Sequence, residues 1–368
     1  MSDAKPAPML SFGEMLPPVT LRAMQNPRYV LSSAAGRWVM LAFLPSVAHP
    51  GAEALAQALG PRRGRFNDDD AALFIISANA EDEAAGRLKD QLPGIRVLWD
   101  DAGEGARACR VNPAEGGLIL LDPLLRVFTS LPLARAEEMM SLFAGLPAPG
   151  LHAGMEIPAP VLVLPRVFEP ALCRHLIALY EKEGGQPSGF MREIDGKTKL
   201  VLDNTHKRRA DMSISDPQLL AGIRGRLAAR LLPALKAAFQ FEATRIERYI
   251  VACYDAAEGG HFRAHRDNTT KGTAHRRFAV TMNLNAEDFS GGELWFPEFG
   301  PRRYRAPTGG AVVFSCSLLH EATPVTAGCR YAFLPFLYDE AGAKIREANK
   351  QFLDAGTPMP GGETPWVA

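Results

Sequence analysis

The chain has 368 residues, 47% of them hydrophobic, with 41 basic and 41 acidic side chains. That length allows more than one domain with a full core, and the balanced charge excludes a long-range attraction to nucleic acid or an anionic membrane. The opening MSDAKPAPML lacks the basic segment and apolar run of a signal peptide, and no stretch reaches the roughly 20 apolar residues of a membrane helix. Five scattered cysteines, odd in number and without a CxxC, argue against a disulfide framework or a cysteine zinc site. These features lead to the expectation of a cytoplasmic chain with buried free thiols and with neither a membrane nor a nucleic acid as partner.

In chain order, RWVMLAFLP (37–45) and AALFIISAN (71–79) are near-continuous apolar runs, the pattern of strands covered on both faces. GAEALAQALG and EDEAAGRLKDQL read as helices, IRVLW (95–99) as a short strand, and GGLILLDPLLRVFTSL (116–131) as two strands around an Asp-Pro turn. ARAEEMMSLFAGL closes this half with a helix, so the half reads as an α/β layer fold. The Pro/Gly-rich GLPAPGLHAGMEIPAPV (145–161) separates two compositions. Domains are therefore expected at 1–148 and 161–341, with a linker at 149–160 and a C-terminal tail at 342–368 whose GTPMPGGETPWVA is loosely ordered.

Beyond the linker, FEPALCRHLIALYEKEG (168–184) has helical spacing. DPQLLAGIRGRLAARLLPALKAAF (216–239) is a second helical region, capped by Asp216, with Pro217 in its first turn and Pro233 interrupting it. From about 245 to 339, short β-type runs alternate with Gly/Pro turns, which predicts a sandwich or barrel.

The first half resembles the thioredoxin-like fold in its peroxiredoxin branch. FLPSVAHPGAEAL (43–55), FIISANAEDEAAGRLKD (74–90) and LILLDPLLRVFTSLP (118–132) carry the likeness. Active peroxiredoxins place a reactive cysteine in the loop after the first long strand. Here that loop, PSVAHPG, has none, and neither Ser46 nor His49 can replace a thiolate. The one cysteine of this half, Cys109, lies far along in ARACRV, so the domain is expected to be thiol-inactive.

GGHFRAHRDNTT (259–270) holds two histidines and an aspartate. Residues at i and i+4 share a helix face, and residues at i and i+2 share a strand face. The preceding RIERYIVACY is strand-like, which puts His265 and Asp267 on one face of a strand or at its end and sends His261 away. An isolated His-x-Asp is most simply a hydrogen-bonded surface pair. Two histidines and one carboxylate also suit Fe(II) with open positions. The third ligand would come from another strand, where His320 in AVVFSCSLLHEATPV is the candidate; His275 lies in a Gly/Thr/Lys loop and reads as solvated. Arg330, ten residues after His320, could point inward, where a buried guanidinium needs a carboxylate partner.

At these residues the chain resembles the Fe(II)/2-oxoglutarate-dependent oxygenases of the prolyl 4-hydroxylase-like branch. IVACYDAAEGGHFRAHRD, MNLNAEDFSGGELWFPE, APTGGAVVFS and LLHEATPVTAGCRYAF carry the likeness, in that order. The resemblance implies a double-stranded β-helix, or jelly roll, with His265, Asp267 and His320 as iron ligands. It implies that Arg330 binds the distal carboxylate of 2-oxoglutarate and that Tyr254 lines its pocket. Asn283 stands where some relatives carry a second tyrosine. Phe262 reads as core packing, Gly291 and Gly292 as a turn, and Glu293 as solvated. KTKLVLDNTHKRRAD (197–211) reads as a solvated loop, or as a cover over the active-site mouth through which Arg208, Arg209 and Asp211 meet substrate.

The implied cofactors are Fe(II) and 2-oxoglutarate, with ascorbate a further candidate. The implied partners are O2 and a small-molecule, peptide or protein substrate. The implied reaction is hydroxylation of a C–H bond of a peptidyl or free amino acid such as proline, with release of succinate and CO2. Two alternatives belong to other classes. A nucleic-acid demethylase of this chemistry would carry an Arg-x-Asn-x-Thr-x-Arg pattern after the second histidine, which CRYAFLPFLY lacks. A non-catalytic interaction protein would be favoured by a missing ligand, and none is missing.

Overall fold

The computed structural model describes residues 8–354 together with Thr364 and Pro365. The GTPMPGGETPWVA segment otherwise lies outside the described residues. The chain divides into two compact units, residues 1–158 with 297–301, and residues 159–296 with 302–368.

In the first unit seven strands form one sheet in the order Tyr29–Val30, Thr20–Ala23, Ile95–Trp99, Ala71–Ser77, Trp38–Leu44, Gly117–Leu121, Val127–Pro132. The strands at Ile95, Ala71 and Trp38 are parallel, and those at Gly117 and Val127 are antiparallel to their neighbours. Every residue of Trp38–Leu44 and Ala71–Ser77 is buried, which is why these runs are continuously apolar rather than alternating. One face of the sheet, with Met40, Ala42 and Leu44, packs on Leu55 of helix Pro50–Leu59 and on Met139 and Phe143 of helix Ala136–Ala144. The 45–51 loop ends at His49, whose ring accepts the Gly51 N–H at 3.1 Å and caps the first helix, with Pro50 at its first position. The helix expected over EDEAAGRLKDQL spans only Ala80–Ala84. Gly86, at φ 61°, takes the chain left-handed and ends it. Cys109 is fully buried, and burial followed by the charge of Asp100 pushes its thiol up to about 12.

The second unit holds a jelly-roll-type pair of antiparallel sheets. The larger runs through Arg245–Glu247, Phe336–Tyr338, Phe278–Asn283, Cys329–Phe333, Ile250–Asp255 and Ala210–Ser213, with Ala311–Ser315 pairing beside Phe278–Asn283. The smaller orders Lys207–Arg208, His261–His265, His320–Ala322, Leu294–Trp295 and Arg303–Tyr304.

Strand Ile250–Asp255 shows why its sequence lacks polar alternation. Val251 and Cys253 pack with Leu176 and Tyr180 of helix Pro170–Glu183 and with Leu227 and Leu231 of the next helical segment. Ile250, Ala252 and Tyr254 face the opposite way and pack with Phe262 and Phe289. Burial of a single leucine in such a core is worth roughly 1.5–3 kcal/mol, so the helical layer fixes the outer side of the sheet.

Pro233 does not interrupt the second helical region. Pro217–Arg226 continues through a π-helical turn, Leu227–Leu231, into Leu232–Phe239. The Leu232 N–H reaches back to Leu227 O, so the helix widens by one residue and Pro233 falls at the start of a new segment, where a missing N–H costs little. Asp216 caps the region through its carboxylate, 2.6 Å from the Leu219 N–H. The tail expected from 342 also differs. Glu340–Asn349 is a helix, capped by Asp339 Oδ1 at 2.7 Å from the Gly342 N–H.

Candidate metal centre

His265 ends strand His261–His265, and His320 opens strand His320–Ala322; the two are cross-strand partners. Asp267 lies beyond the strand, in the turn that follows it, with its N–H donated to Cys316 O at 3.0 Å. The shared-face argument from the strand period is therefore corrected. Asp267 is brought round by a turn, not by the pleat. A register shift between Phe262 and His265 also breaks the alternation, so that both line one cavity. His261 is turned away, with ring contacts to Gly259 O and Thr205 O.

His265 Nε2 lies 3.4 Å from Asp267 Oδ1, and His320 Nε2 lies 3.4 Å from Asp267 Oδ2. One donor atom from each of the three falls within 4.8 Å of the others, close enough to share one ion. Each histidine turns Nδ1 to a backbone carbonyl, His265 to Arg263 O at 2.8 Å and His320 to Leu318 O at 3.0 Å. That contact places the Nδ1 proton and leaves both Nε2 lone pairs aimed at the shared point. The His265 ring is stacked on Phe262, centroids 3.5 Å apart, which limits its rotation. Burial, then the proximity of His320, lowers the pKa of His265 to about 4. Burial opposes the charge of Asp267, but His320 and His265 outweigh it and hold the carboxyl well below the usual range. Two imidazoles and one carboxylate are the donor set that suits a divalent iron.

Arg330 and Tyr254 are cross-strand partners in the larger sheet, with the guanidinium 5.0 Å from the ring centre, and both line the cavity of the two histidines. This cavity has about 420 Å³ of empty space, part of it open to solvent. Arg330 is 2% exposed. Its Nε donates to Asn283 Oδ1 at 3.3 Å, while one terminal nitrogen, NH1, is buried without a partner. An orphaned charged donor in a cavity is costly unless a ligand completes it, and a carboxylate is the fitting group. Asn283 is itself held by its amide donating to Ala306 O at 2.8 Å, so it positions Arg330. Gly292 leaves space for the arginine stem: a Cβ there would sit 3.0 Å from Arg330 Cδ, on a backbone at φ 68°.

The 197–211 segment divides. Lys197–Val201 forms a hairpin with Phe190–Ile194. Lys207 and Arg209 are buried, which corrects the solvated reading for that end of the segment. Arg209 reaches the cavity, pairing with Asp211 at 2.6 Å and approaching the Tyr254 hydroxyl at 3.3 Å. Arg208 is exposed and donates to Glu258 O at 2.6 Å. His275 is not solvated. It is 2% exposed, with Nε2 2.6 Å from Glu247 Oε2, in a cluster completed by Arg276. Glu293 is likewise engaged, 2.6 Å from Arg305.

Sequence reasoning missed Arg248, which also lines the cavity. Its signal was available in part. Arg248 shares parity with Ile250, Ala252 and Tyr254, which suggests one side for all four if the strand began at 248; it begins at Ile250, so the parity covers only the last three. The left-handed backbone at Arg248, φ 59°, costs about 1 kcal/mol or more for a side chain of this size and was not legible.

Residues 249–338 match the family described as the 2OG-Fe(II) oxygenase superfamily, and this chain carries a 2OG-Fe(II) oxygenase domain there. The cofactors that the family implies are Fe(II) and 2-oxoglutarate. The chain is similar to a PKHD-type hydroxylase of Pseudomonas fluorescens, 38% identical over 91 residues, covering 23% of this chain and 39% of that one. It is also similar to a PKHD-type hydroxylase of a Shewanella species, 32% identical over 157 residues, or 39% of this chain and 66% of that one. It thus spans about two-fifths of the length of the first of these relatives. Among solved structures, a prolyl hydroxylase of Trichoplax adhaerens in complex with a hypoxia inducible factor peptide aligns at 18% identity and a TM-score of 0.39, over 51% of this chain and 86% of that one. No helix among the described residues is long and apolar enough to cross a membrane.

Proposed function

We propose that this chain is an Fe(II)- and 2-oxoglutarate-dependent dioxygenase that hydroxylates a substrate C–H bond, releasing succinate and CO2. The substrate is a peptidyl or free amino acid, with proline as the first candidate because the motifs around the site resemble the prolyl 4-hydroxylase-like branch. The carrying observation is the convergence of His265, Asp267 and His320 on one point, in a cavity that also holds the unpartnered Arg330 donor.

In this reading those three residues hold the iron and Arg330 takes the distal carboxylate of 2-oxoglutarate, with Tyr254 beside it. Iron with 2-oxoglutarate supplies O2 activation and the oxidising equivalents for C–H hydroxylation. The chain contributes position and dryness. The backbone carbonyls behind the histidines fix the Nε2 lone pairs, Asn283 orients Arg330, and Phe262, Leu294 and Phe314 keep water from the cavity walls.

The first unit is read as thioredoxin-like and thiol-inactive. Support comes from its parallel core strands with a helical crossover, its antiparallel edge pair, the thiol-free 45–51 loop and the buried Cys109. We take the domains as 1–148 and 161–341 with a linker at 149–160, while the compact units divide between residues 158 and 159, and the five free cysteines fit a reducing cytoplasm. The test is succinate release from 2-oxoglutarate by the full chain with Fe(II), across a panel of amino acids and peptides. No Fe(II)-dependent turnover under any condition, or turnover surviving His320→Ala, would defeat the proposal.

A further inference from the structure

Three guanidiniums line the cavity of the metal centre: Arg209, Arg248 and Arg330. Their charges are not equally matched. Arg209 has Asp211 at 2.6 Å. Asp267 faces the two histidines and, in the reading above, a divalent cation. One carboxylate of 2-oxoglutarate would complete the neutralisation of that cation and the other would neutralise Arg330. Arg248 then remains a cation without an ion-paired carboxylate, since Asp211 and Glu247, which attract it, are engaged by Arg209 and Arg276.

The placement of Arg248 is built, not incidental. It follows strand Arg245–Glu247 with a left-handed backbone that breaks the strand before Ile250, and it lines the cavity with Tyr254. Its Nε donates to Leu334 O at 2.8 Å, and its guanidinium lies 4.2 Å from the centre of the Phe336 ring. These contacts hold the guanidinium in place and use a single nitrogen. Among the described residues its two terminal nitrogens make no hydrogen bond and no carboxylate lies within ion-pair distance of them. Burial, then the like charges of Arg209 and Arg276, lower its pKa to about 10 against the opposing pull of Asp211 and Glu247.

We infer that the substrate is itself a carboxylate, received as its anion by Arg248 at the cavity wall, so that the enzyme acts on a free acid or free amino acid. A fixed guanidinium presents parallel N–H donors to the two oxygens of a carboxylate and nothing equivalent to a neutral amide. The inference rests on the dioxygenase reading and narrows it, separating a free amino acid from a residue within a peptide.

The experiment uses the full chain loaded with Mn(II), which binds without turnover. Calorimetric titration with 2-oxoglutarate comes first. Failure of the unsubstituted protein to bind it would sink the dioxygenase reading, and this inference with it. The loaded protein is then titrated with L-amino acids, simple monocarboxylic acids and the matching primary amides as probes. At least one acid should bind, with its amide weaker by about 30-fold or more, the usual cost of removing one partner of a buried charged contact. Arg248→Gln should erase the difference between acid and amide while keeping 2-oxoglutarate affinity and the thermal midpoint, and Arg248→Lys should restore part of it. Equal binding of acids and amides, binding of no acid, or discrimination unaltered in Arg248→Gln would overturn the inference. So would loss of 2-oxoglutarate affinity in Arg248→Gln, which would make Arg248 the cosubstrate's anchor.

Discussion

Arg276 and Arg330 are both buried in the second unit, 7% and 2% exposed, and are handled in opposite ways. Arg276 meets Glu247 through two nitrogens, at 2.5 and 3.1 Å, and also donates to Asp267 O at 3.3 Å. His275 completes that cluster at 2.6 Å from Glu247. Among the described residues Arg330 hydrogen-bonds the neutral Asn283 oxygen and faces the Tyr254 ring, meets no carboxylate, and has one nitrogen without a partner. In the first cluster the two charges, Arg276 and Glu247, meet within the chain and serve the fold, supporting the carbonyl of Asp267 from behind, although His275 Nδ1 stays without a partner. The second is incomplete and is finished by a ligand. Burial of a charge alone therefore does not mark a binding site; the absence of its counter-charge does.

The largest effect should come from breaking the metal centre itself. Asp267→Ala should lower divalent-metal affinity more than about 100-fold, above the usual cost of losing a supporting group behind a ligand. Titration of Mn(II) into the variant checks this, and retained affinity would show that other residues hold the ion. Next, Arg330→Ala should weaken 2-oxoglutarate binding by roughly 100-fold or more, from a loss of about 3–5 kcal/mol, while the thermal midpoint of the ligand-free chain stays level. Calorimetry and a melting curve on one preparation test both halves. A lowered midpoint with intact affinity would put Arg330 in the class of Arg276.

Glu247→Ala should do the reverse. It strands Arg276 at a cost of about 3–5 kcal/mol. For a unit of this size that is a fall in midpoint of roughly 6–20 °C. An unchanged midpoint would mean that the cluster is not the structural counterpart claimed for it.

The same carboxylate sets a smaller, pH-dependent effect. Burial raises the cost of ionising Glu247, but Arg276 and His275 outweigh it and hold its pKa well below the ordinary value. A depressed folded pKa contributes stability that is present above the unfolded value, near 4.3, and is lost as pH falls toward the folded one. Denaturation midpoints should therefore drop below about pH 4–5, and Glu247→Gln should flatten that slope; an unchanged slope would assign the acid sensitivity to other carboxylates. The smallest change is expected in the first unit. Thiol-dependent peroxide consumption by the full chain should be absent, and Cys109→Ser should not alter it. Turnover abolished by that substitution would restore a redox role to this unit.

Much of this was legible before any coordinates. Continuous apolar runs placed the strands at Trp38, Ala71 and Ile250, because a strand covered on both faces has no reason to alternate. Asp216 before Pro217 marked a helix start, and the order of His265, Asp267, His320 and Arg330 marked one site, because these signals are local or survive as spacing along the chain. The tertiary structure alone decided the rest. The irregular register between Phe262 and His265 set which side chains meet, and a turn, not the strand period, delivered Asp267. The fate of each charge was also invisible. His275 looked solvated until Glu247, 28 residues earlier, was found against it, and Arg248 looked like any strand-edge arginine until it lined a cavity whose acid, Asp267, faces the two histidines. Periodicity reports which residues share a face. Whether a buried charge is paired depends on groups far apart in the chain, and only their packing can bring a partner or withhold one.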